Sequence, residues 1–217
     1  MPNRPGRLLG VAALTLVLAA CAGAASPSGA STASGSGEPA IDDVAARQYC
    51  TDKGGQLVDR IATWNTNADT PAQLPLAGRL TFCEFQSGSG NETTRISVDL
   101  TTLSSERPTI AAVAYLSRIG PVVPDTPSEN PAIYNCNQGL GGSAAFGNTA
   151  AGGGWLDEGQ PVFKVMQMCF FADGSAIDAF GIFYYADDAI RGTDLAPLFR
   201  YQPGGKLPAM FEETRRR

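Results

Sequence analysis

The pattern of apolar and polar residues beyond position 40 predicts two stretches built from the same order of elements. In the first stretch, Ala45 and Tyr49 repeat at helical spacing and Gly54 follows as a C-cap, which predicts a helix. After this helix come segments in which apolar and polar residues alternate, and this pattern predicts strands. In chain order, the first stretch is predicted to contain a helix over 41–53, strands over 56–61, 79–86 and 94–100, and a helix over 108–118.

The second stretch begins at Asn130-Pro131, an N-cap followed by proline at the first helical position, and its helix is predicted to end near Gly139. Asp173-Gly174 is typical of a tight hairpin turn, so strands are predicted over 162–172 and 175–186. Aromatic residues crowd this hairpin. The core is their default place, and any that alternation leaves outside would form a patch that can mark a partner site. They are Phe163, Phe170, Phe171, Phe180, Phe183, Tyr184 and Tyr185.

Four cysteines give the two stretches a common frame, because Cys83 follows Cys50 by 33 residues and Cys169 follows Cys136 by the same number. In each stretch a tyrosine precedes the first cysteine, a Gly-Gly pair follows it, and a tryptophan lies between the two cysteines. These landmarks predict a duplication and an α+β fold of two helix–strand–hairpin units with antiparallel sheet. The predicted units are repeat one over 41–125 and repeat two, with the C-terminal tail, over 126–217.

The N-terminus has the organisation of an export signal. Two arginines precede an apolar run of 13 residues, Leu8 to Ala20, which is shorter than the roughly 20 residues that a membrane-spanning helix needs. The run ends in Leu18-Ala19-Ala20-Cys21, which resembles the lipobox of bacterial lipoproteins. The resemblance implies that residues 1–20 are a signal peptide and that Cys21 carries the lipid anchor, on the extracytoplasmic face of the cell membrane.

Residues 21–40 contain no large apolar side chain beyond the predicted lipidated cysteine and are rich in Ser, Gly and Ala, which predicts a flexible tether. Its root-mean-square reach is about 24 Å. An exported chain lies in an oxidising compartment, where disulfides persist. The four remaining cysteines allow three pairings, and the equal spacing favours one bridge in each repeat. These bridges are Cys50–Cys83 and Cys136–Cys169.

Composition removes several classes of function. The 217 residues include no histidine, which excludes His-dependent nucleophiles, general bases and zinc sites. The net charge of −5 argues against nucleic acid as a partner. The glycine-rich run 139–154 lacks the strand and helix of a dinucleotide site, and Asp157-Glu158 and Asp187-Asp188 lack the spacing of a calcium loop. No catalytic, cofactor-binding or metal-ligating residue is therefore assigned.

Repeat two contains a series of short motifs in a recognisable order: Asn130-Pro131-Ala132, Tyr134, Cys136, Gly141-Gly142 and Cys169-Phe170-Phe171-Ala172-Asp173-Gly174-Ser175. This order resembles a domain-of-unknown-function family of small bacterial lipoproteins that often carry a hemolysin label. Repeat one keeps Tyr49-Cys50, Gly54-Gly55 and Cys83-Glu84-Phe85 but lacks the Asp-Gly-Ser run. The resemblance implies an envelope lipoprotein and assigns no chemistry to it.

Asp99 and Asp178 occupy matching places on predicted strands of the two repeats. Such a pair could act as acid and base in a carboxylate-dependent envelope hydrolase, or each could be a structural aspartate that binds the backbone of a turn. The exclusions favour a non-enzymatic binding or interaction module, held at the membrane through Cys21 and contacting an unknown envelope protein or ligand. A passive structural lipoprotein of the cell wall is the remaining alternative.

Overall fold

The computed structural model describes residues 43–69, 72–126, 129–144, 152–157, 160 and 164–204. Its strands are β1 Gln56–Trp64, β2 Leu74–Ser87, β3 Thr94–Asp99, β4 Gly153–Asp157, β5 Met168–Phe170 and β6 Ala176–Asp178. Its helices are α1 Asp43–Asp52, α2 Leu100–Ser104, α3 Ile110–Ser117, α4 Pro131–Tyr134 and α5 Ala179–Ala186, with a 3-10 turn at Gly90–Glu92 and a π-helical turn at Asn135–Gly139 after α4. The predicted α+β class is confirmed.

The six strands form one antiparallel sheet in the order β4-β1-β2-β3-β6-β5, so strands from both predicted repeats share it. The two stretches meet where β3 pairs with β6 at Val98 and Ile177, and again where β1 pairs with β4 at Ala62 and Trp155. Trp155 also forms a bridge with Met166, just before β5, through two backbone hydrogen bonds of 2.8 Å. The sheet is a half-barrel, and this bridge holds the residues just before β5 against β4.

Side chains alternate between two cores along each strand. On β2, Cys83 and Phe85 point toward the helices, where they join the main core. Phe82 points the other way and packs edge-on against Trp155 of β4, with ring centroids 5.6 Å apart. Because β1 lies between β2 and β4, this contact marks the concave, inner face of the sheet. The inner core consists of Ala62, Phe82, Trp155, Met166, Met168 and Ala176.

Both predicted disulfides are confirmed, with Cα atoms 5.8 Å and 5.7 Å apart, and all four cysteines are buried. The second glycine of each Gly-Gly pair packs against its bridge. A Cβ atom at Gly55 would lie 2.9 Å from the sulfur of Cys50, and one at Gly142 would lie 2.9 Å from the sulfur of Cys136. The close approach explains why a residue without a side chain stands at both positions. The bridges are Cys50–Cys83 and Cys136–Cys169.

Several elements differ from those predicted. The stretch 175–186 was expected to be one strand, but the strand ends at Asp178 and α5 follows. The prediction is wrong there because the Asp178 side chain accepts a hydrogen bond from the backbone N–H of Phe180 and caps the helix. Asp99 caps α2 in the same way, which the strand prediction over 94–100 missed. β4 was not predicted, and β2 begins at Leu74, five residues before its predicted start.

Candidate functional site

The two candidate aspartates lie where β3 meets β6. Asp99 follows Val98 and Asp178 follows Ile177, and because the strands are antiparallel they lie on opposite sides of this residue pair. Asp99 accepts hydrogen bonds from the backbone N–H of Thr102 at 3.0 Å, from the hydroxyl of the same residue, and from the N–H of Ala176 at 2.5 Å. Asp178 accepts a bond from the N–H of Phe180 at 2.9 Å. Each carboxylate is thus engaged by backbone at the start of a helix.

Burial raises the pKa of both carboxyls. At Asp99, the loss of hydration outweighs the hydrogen bonds from Thr102 and Ala176, which act to lower the pKa. At Asp178, burial raises the pKa to about 6, although a backbone hydrogen bond from Gly181 and the charge of Arg191 oppose the shift. Asp178 is 2% exposed, so its carboxyl has little contact with water. Both groups have the environment of structural caps inside the sheet junction.

A buried charge cluster on the inner face was missed by the sequence analysis. Arg60 on β1 is fully buried; its Nη2 forms an ion pair with Glu84, its Nε lies 2.7 Å from an oxygen of Asp157, and its Nη1 donates to Ser97 at 2.9 Å. Burial raises the pKa of Glu84, but the charge of Arg60 and hydrogen bonds from Gln86 and Arg60 outweigh it and hold the pKa below its usual value. The cluster ties β1, β2, β3 and β4 together.

The clearest exposed apolar feature lies on the first half of β2. β3 pairs only with residues 82–87 of that strand, so within the described part of the chain residues 74–81 have β1 on one side and no strand on the other. Leu74, Leu76 and Leu80 alternate there and are 53%, 37% and 42% exposed. We call these three side chains the leucine strip.

The leucine strip continues the inner core past the end of β3. Gly78 lies between two of its leucines on the same face, and a Cβ atom there would lie 3.4 Å from the Cβ of Ala62 and 3.7 Å from the indole of Trp155. Phe82, the next residue on that face, is fully buried. The apolar row on β2 therefore runs from the inner core directly out to the surface. Its signal in the sequence is the even spacing of Leu74, Leu76 and Leu80, two of them before the predicted strand 79–86 and one near its start.

The edge that carries the leucine strip is poorly suited to pairing with another strand. The register between β1 and β2 shifts between Ile61 and Thr63, and β2 has the extra residues there. Pro75 lies in the same segment and has no N–H to donate. Bulges and prolines are devices that stop exposed edges from recruiting further strands. The leucine side chains nevertheless stay exposed, so a contact made here is made through side chains.

The predicted aromatic contact patch is divided among several environments. Phe171 and Tyr185 are buried in the main core, while Phe170 packs against the inner core. On α5, Phe180 and Tyr184 have centroids 6.5 Å apart, and Tyr184 is 39% exposed. The guanidinium of Arg191 lies 5.4 Å and 5.5 Å from these two rings and covers them in part. Phe163 lies outside the described residues.

Two of the other acidic candidates have charged partners. Asp157 belongs to the Arg60 cluster, and Asp188 forms a surface ion pair with Arg118 at 2.6 Å. In the described segments, no group of three His, Cys, Asp or Glu residues is placed to hold a metal ion, and no helix is long and apolar enough to cross a membrane. Residues 1–42, which include the predicted signal peptide, the predicted lipidation site Cys21 and the predicted tether, lie outside the described residues.

No protein-family model matches this chain, and comparisons with curated proteins and with solved structures find no match either. The functional evidence is therefore the surface that the described residues form. The leucine strip stands out on that surface, because folded proteins usually cover the apolar side chains of an exposed strand edge.

Proposed function

We propose that the protein is a non-enzymatic binding lipoprotein of the bacterial cell envelope, anchored to the membrane through Cys21, whose contact surface is the leucine strip. The observation that carries the proposal is the exposure of the strip, 53%, 37% and 42% for Leu74, Leu76 and Leu80. Covering such side chains releases about 25 cal/mol for each Å² of apolar surface removed from water. The strip thus offers binding energy without any catalytic group.

A comparison between the two predicted repeats supports a special role for the strip. The residue after each Gly-Gly pair bridges the residue after the second cysteine: Gln56 pairs with Glu84, and Ser143 pairs with Phe170. These matching registers support the duplication as part of the proposal. The repeats then differ three residues before the second cysteine, where Leu80 is 42% exposed and Met166 is 5% exposed. At this matching position repeat one has an exposed apolar side chain, whereas repeat two has a buried one.

The surroundings of the strip favour a rigid contact surface. The half of β2 that follows it is fixed by the disulfide at Cys83 and by the ion pair between Glu84 and Arg60. A surface held in place before binding loses less conformational entropy when its partner arrives. The engagement of Asp99 and Asp178 as helix caps also favours binding over hydrolysis, because an acid–base pair needs carboxylates that reach a substrate.

The anchor is tested with Cys21→Ala in the producing cell. The lipobox resemblance leads us to expect that the wild-type protein fractionates with membranes and that its mature N-terminus is an acylated cysteine by mass analysis. The variant is expected to lose the lipid and to move to the soluble fraction. An unmodified Ala22 or an intact Met1 at the N-terminus of the wild-type protein would contradict the anchor.

The contact surface is tested with a photo-crosslinking residue placed at Leu76 or, as a control, at Leu57. The two leucines are 37% and 38% exposed, and Leu57 lies on β1 outside the strip. Illumination of intact cells is expected to give a discrete protein or lipid adduct from position 76 and none from position 57. Equal adducts at the two positions, or none at either, would show that the strip is not a contact surface.

A further inference from the structure

The outward face of α5 is an exposed surface that is distinct from the leucine strip. Ile182 and Tyr185 are buried on the inward face of this helix, whereas Tyr184 is 39% exposed. Ile190, in the turn that follows the helix, is 53% exposed. Exposed aromatic and apolar side chains beside an arginine are typical of protein interfaces. We call this surface the α5 patch; its members are Tyr184, Asp187, Ile190 and Arg191.

Two members of the α5 patch carry opposite charges and have no ion-pair partner. Asp187 lies three residues after Tyr184, which places both on the same face at the end of the helix. The guanidinium of Arg191 lies 5.5 Å from the centre of the Tyr184 ring. Over the ranges that the structure describes, neither charged side chain forms an ion pair, and the two do not pair with each other. Asp188, between them in the chain, is already paired with Arg118. One anion and one cation of the patch are therefore available to a partner.

The guanidinium of Arg191 is held in position before any partner binds. It also lies 5.4 Å from the centre of the Phe180 ring, so two aromatic rings of α5 support it. The next residue, Gly192, donates a backbone hydrogen bond of 3.0 Å to the hydroxyl of Thr94, which fixes the turn against β3. A guanidinium that stacks on rings keeps its N–H groups in its own plane, where a carboxylate can accept two of them. The arrangement therefore suits a carboxylate from another molecule, with little entropy lost on binding.

We propose that the α5 patch binds the same patch on a second copy of this chain, about a two-fold axis that places Arg191 of each copy against Asp187 of the other. In a two-fold interface each contact occurs twice, so a patch with one unpaired cation and one unpaired anion complements itself. A partner of a single charge sign would satisfy one of these groups and repel the other. The chain has a net charge of −5, so copies repel each other in general, but the charges of Asp187 and Arg191 cancel. Two copies can therefore meet here without a charge penalty, and this contact goes beyond the function proposed for the leucine strip.

The test uses the full chain in intact producing cells, with a photo-crosslinking residue at Ile190 or, as the matched control, at Leu74. Both native side chains are 53% exposed, and Leu74 lies on β2 outside the α5 patch. Illumination is expected to give an adduct of two copies from position 190, at least fivefold more abundant than any such adduct from position 74. Mass analysis of the linked peptides identifies the second copy.

Charge reversal identifies the contact within that adduct. Arg191→Asp alone and Asp187→Arg alone each put like charges together at both ends of the interface, so each is expected to lower the yield of the adduct about tenfold. The variant with both substitutions exchanges the two charges and is expected to regain at least half of the original yield. A cation near the end of a helix is favourable, so Asp187→Arg leaves α5 intact. Arg191→Gln removes the cation without adding a charge and is expected to lower the yield at least threefold, which covers a reversal that circular dichroism shows to disturb the fold.

Each of the other outcomes would overturn the inference. One is a yield of the two-copy adduct at position 190 no higher than at position 74. Another is an adduct that survives both single reversals, or that the double variant fails to restore, because Arg191 and Asp187 would then not be the contact. A discrete adduct of position 190 with a different protein would give the patch another occupant. The adduct from position 76 is measured separately, so the leucine strip is decided independently.

Discussion

At the scale of single residues, Asp178 shows how a capping role and an ionisation are linked. Its side chain accepts the hydrogen bond that starts α5, and burial raises its pKa to about 6 from the ordinary aspartate value of 3.8. The folded protein therefore binds this proton more tightly than the unfolded chain does. Between these two values the folded state carries more protons, so the contribution of this group to stability falls as the pH rises through the window.

Asp178→Asn is predicted to remove this pH dependence while keeping the helix cap, because asparagine caps helices about as well as aspartate. The difference between these two pKa values corresponds to about 3 kcal/mol of stability. The free energy of unfolding of the variant, relative to wild type, is therefore expected to rise by up to about 3 kcal/mol between pH 4 and pH 7. Denaturant unfolding of both proteins at the two pH values measures it. A difference that does not change with pH would contradict the raised pKa.

At the scale of elements, α3 depends on a turn from the other predicted repeat. A carboxylate oxygen of Asp173 accepts a hydrogen bond of 2.8 Å from the N–H of Ile110, and the hydroxyl of Ser175 accepts one of 3.0 Å from the N–H of Ala111. Thr109, the N-cap, accepts a third bond. The Asp-Gly-Ser turn thus satisfies backbone donors at the start of a helix that lies more than sixty residues earlier in the chain.

Asp173→Ala is predicted to lower the free energy of unfolding by about 1 kcal/mol, the usual cost of losing a side chain that caps a helix. Asp173→Asn keeps an oxygen acceptor and is expected to lose clearly less. Partial burial raises the pKa of Asp173, but its hydrogen bonds with Ser175 and Ile110 outweigh this and lower it, so the benefit of the carboxylate is lost in acid. Denaturant unfolding near neutral pH compares the three proteins. Equal losses in both variants would show that the carboxylate oxygen is not the group that matters.

The elements that the sequence predicts correctly are those with local signals. Gly54 ends α1, Asp173-Gly174 makes the turn between β5 and β6, and the equal cysteine spacing leads to both disulfides. α5 was mistaken for strand because its aromatic residues favour strands locally. The segment is a helix because Ile182 and Tyr185, three residues apart, share its buried side and because Asp178 caps its first turn.

Features that depend on distant pairing could not be predicted. β4 follows a glycine-rich run and is held by its ladder with β1, almost a hundred residues earlier. The exposure of the leucine strip depends on where β3 stops pairing with β2, which is set by the cap at Asp99 that turns the chain into α2. The alternating leucines are visible in the sequence, but alternation alone does not say whether a neighbouring strand covers them.

At the scale of the whole molecule, Arg60 connects the two predicted repeats through charge. Its guanidinium contacts Glu84 and Ser97 from repeat one and Asp157 from repeat two. Arg60 is fully buried and Glu84 is 3% exposed, whereas the side chain of Asp157 is 31% exposed and remains partly hydrated. Removing the cation would therefore leave Glu84 as a buried charge, with the guanidinium of Arg95 4.0 Å away.

Arg60→Met is accordingly predicted to lower the free energy of unfolding by about 3–5 kcal/mol, the usual cost of breaking a buried ion pair on one side. The loss is expected to shrink as the pH falls, because Glu84 without Arg60 takes up a proton and is no longer a buried charge. Adding Glu84→Gln removes that charge at every pH, so the double variant is expected to recover about 2 kcal/mol of the loss near pH 7. Unfolding of wild type, both single variants and the double variant completes the cycle. If the double variant is as unstable as the sum of the single ones, the two side chains contribute independently and Glu84 is not the charge that Arg60 stabilises.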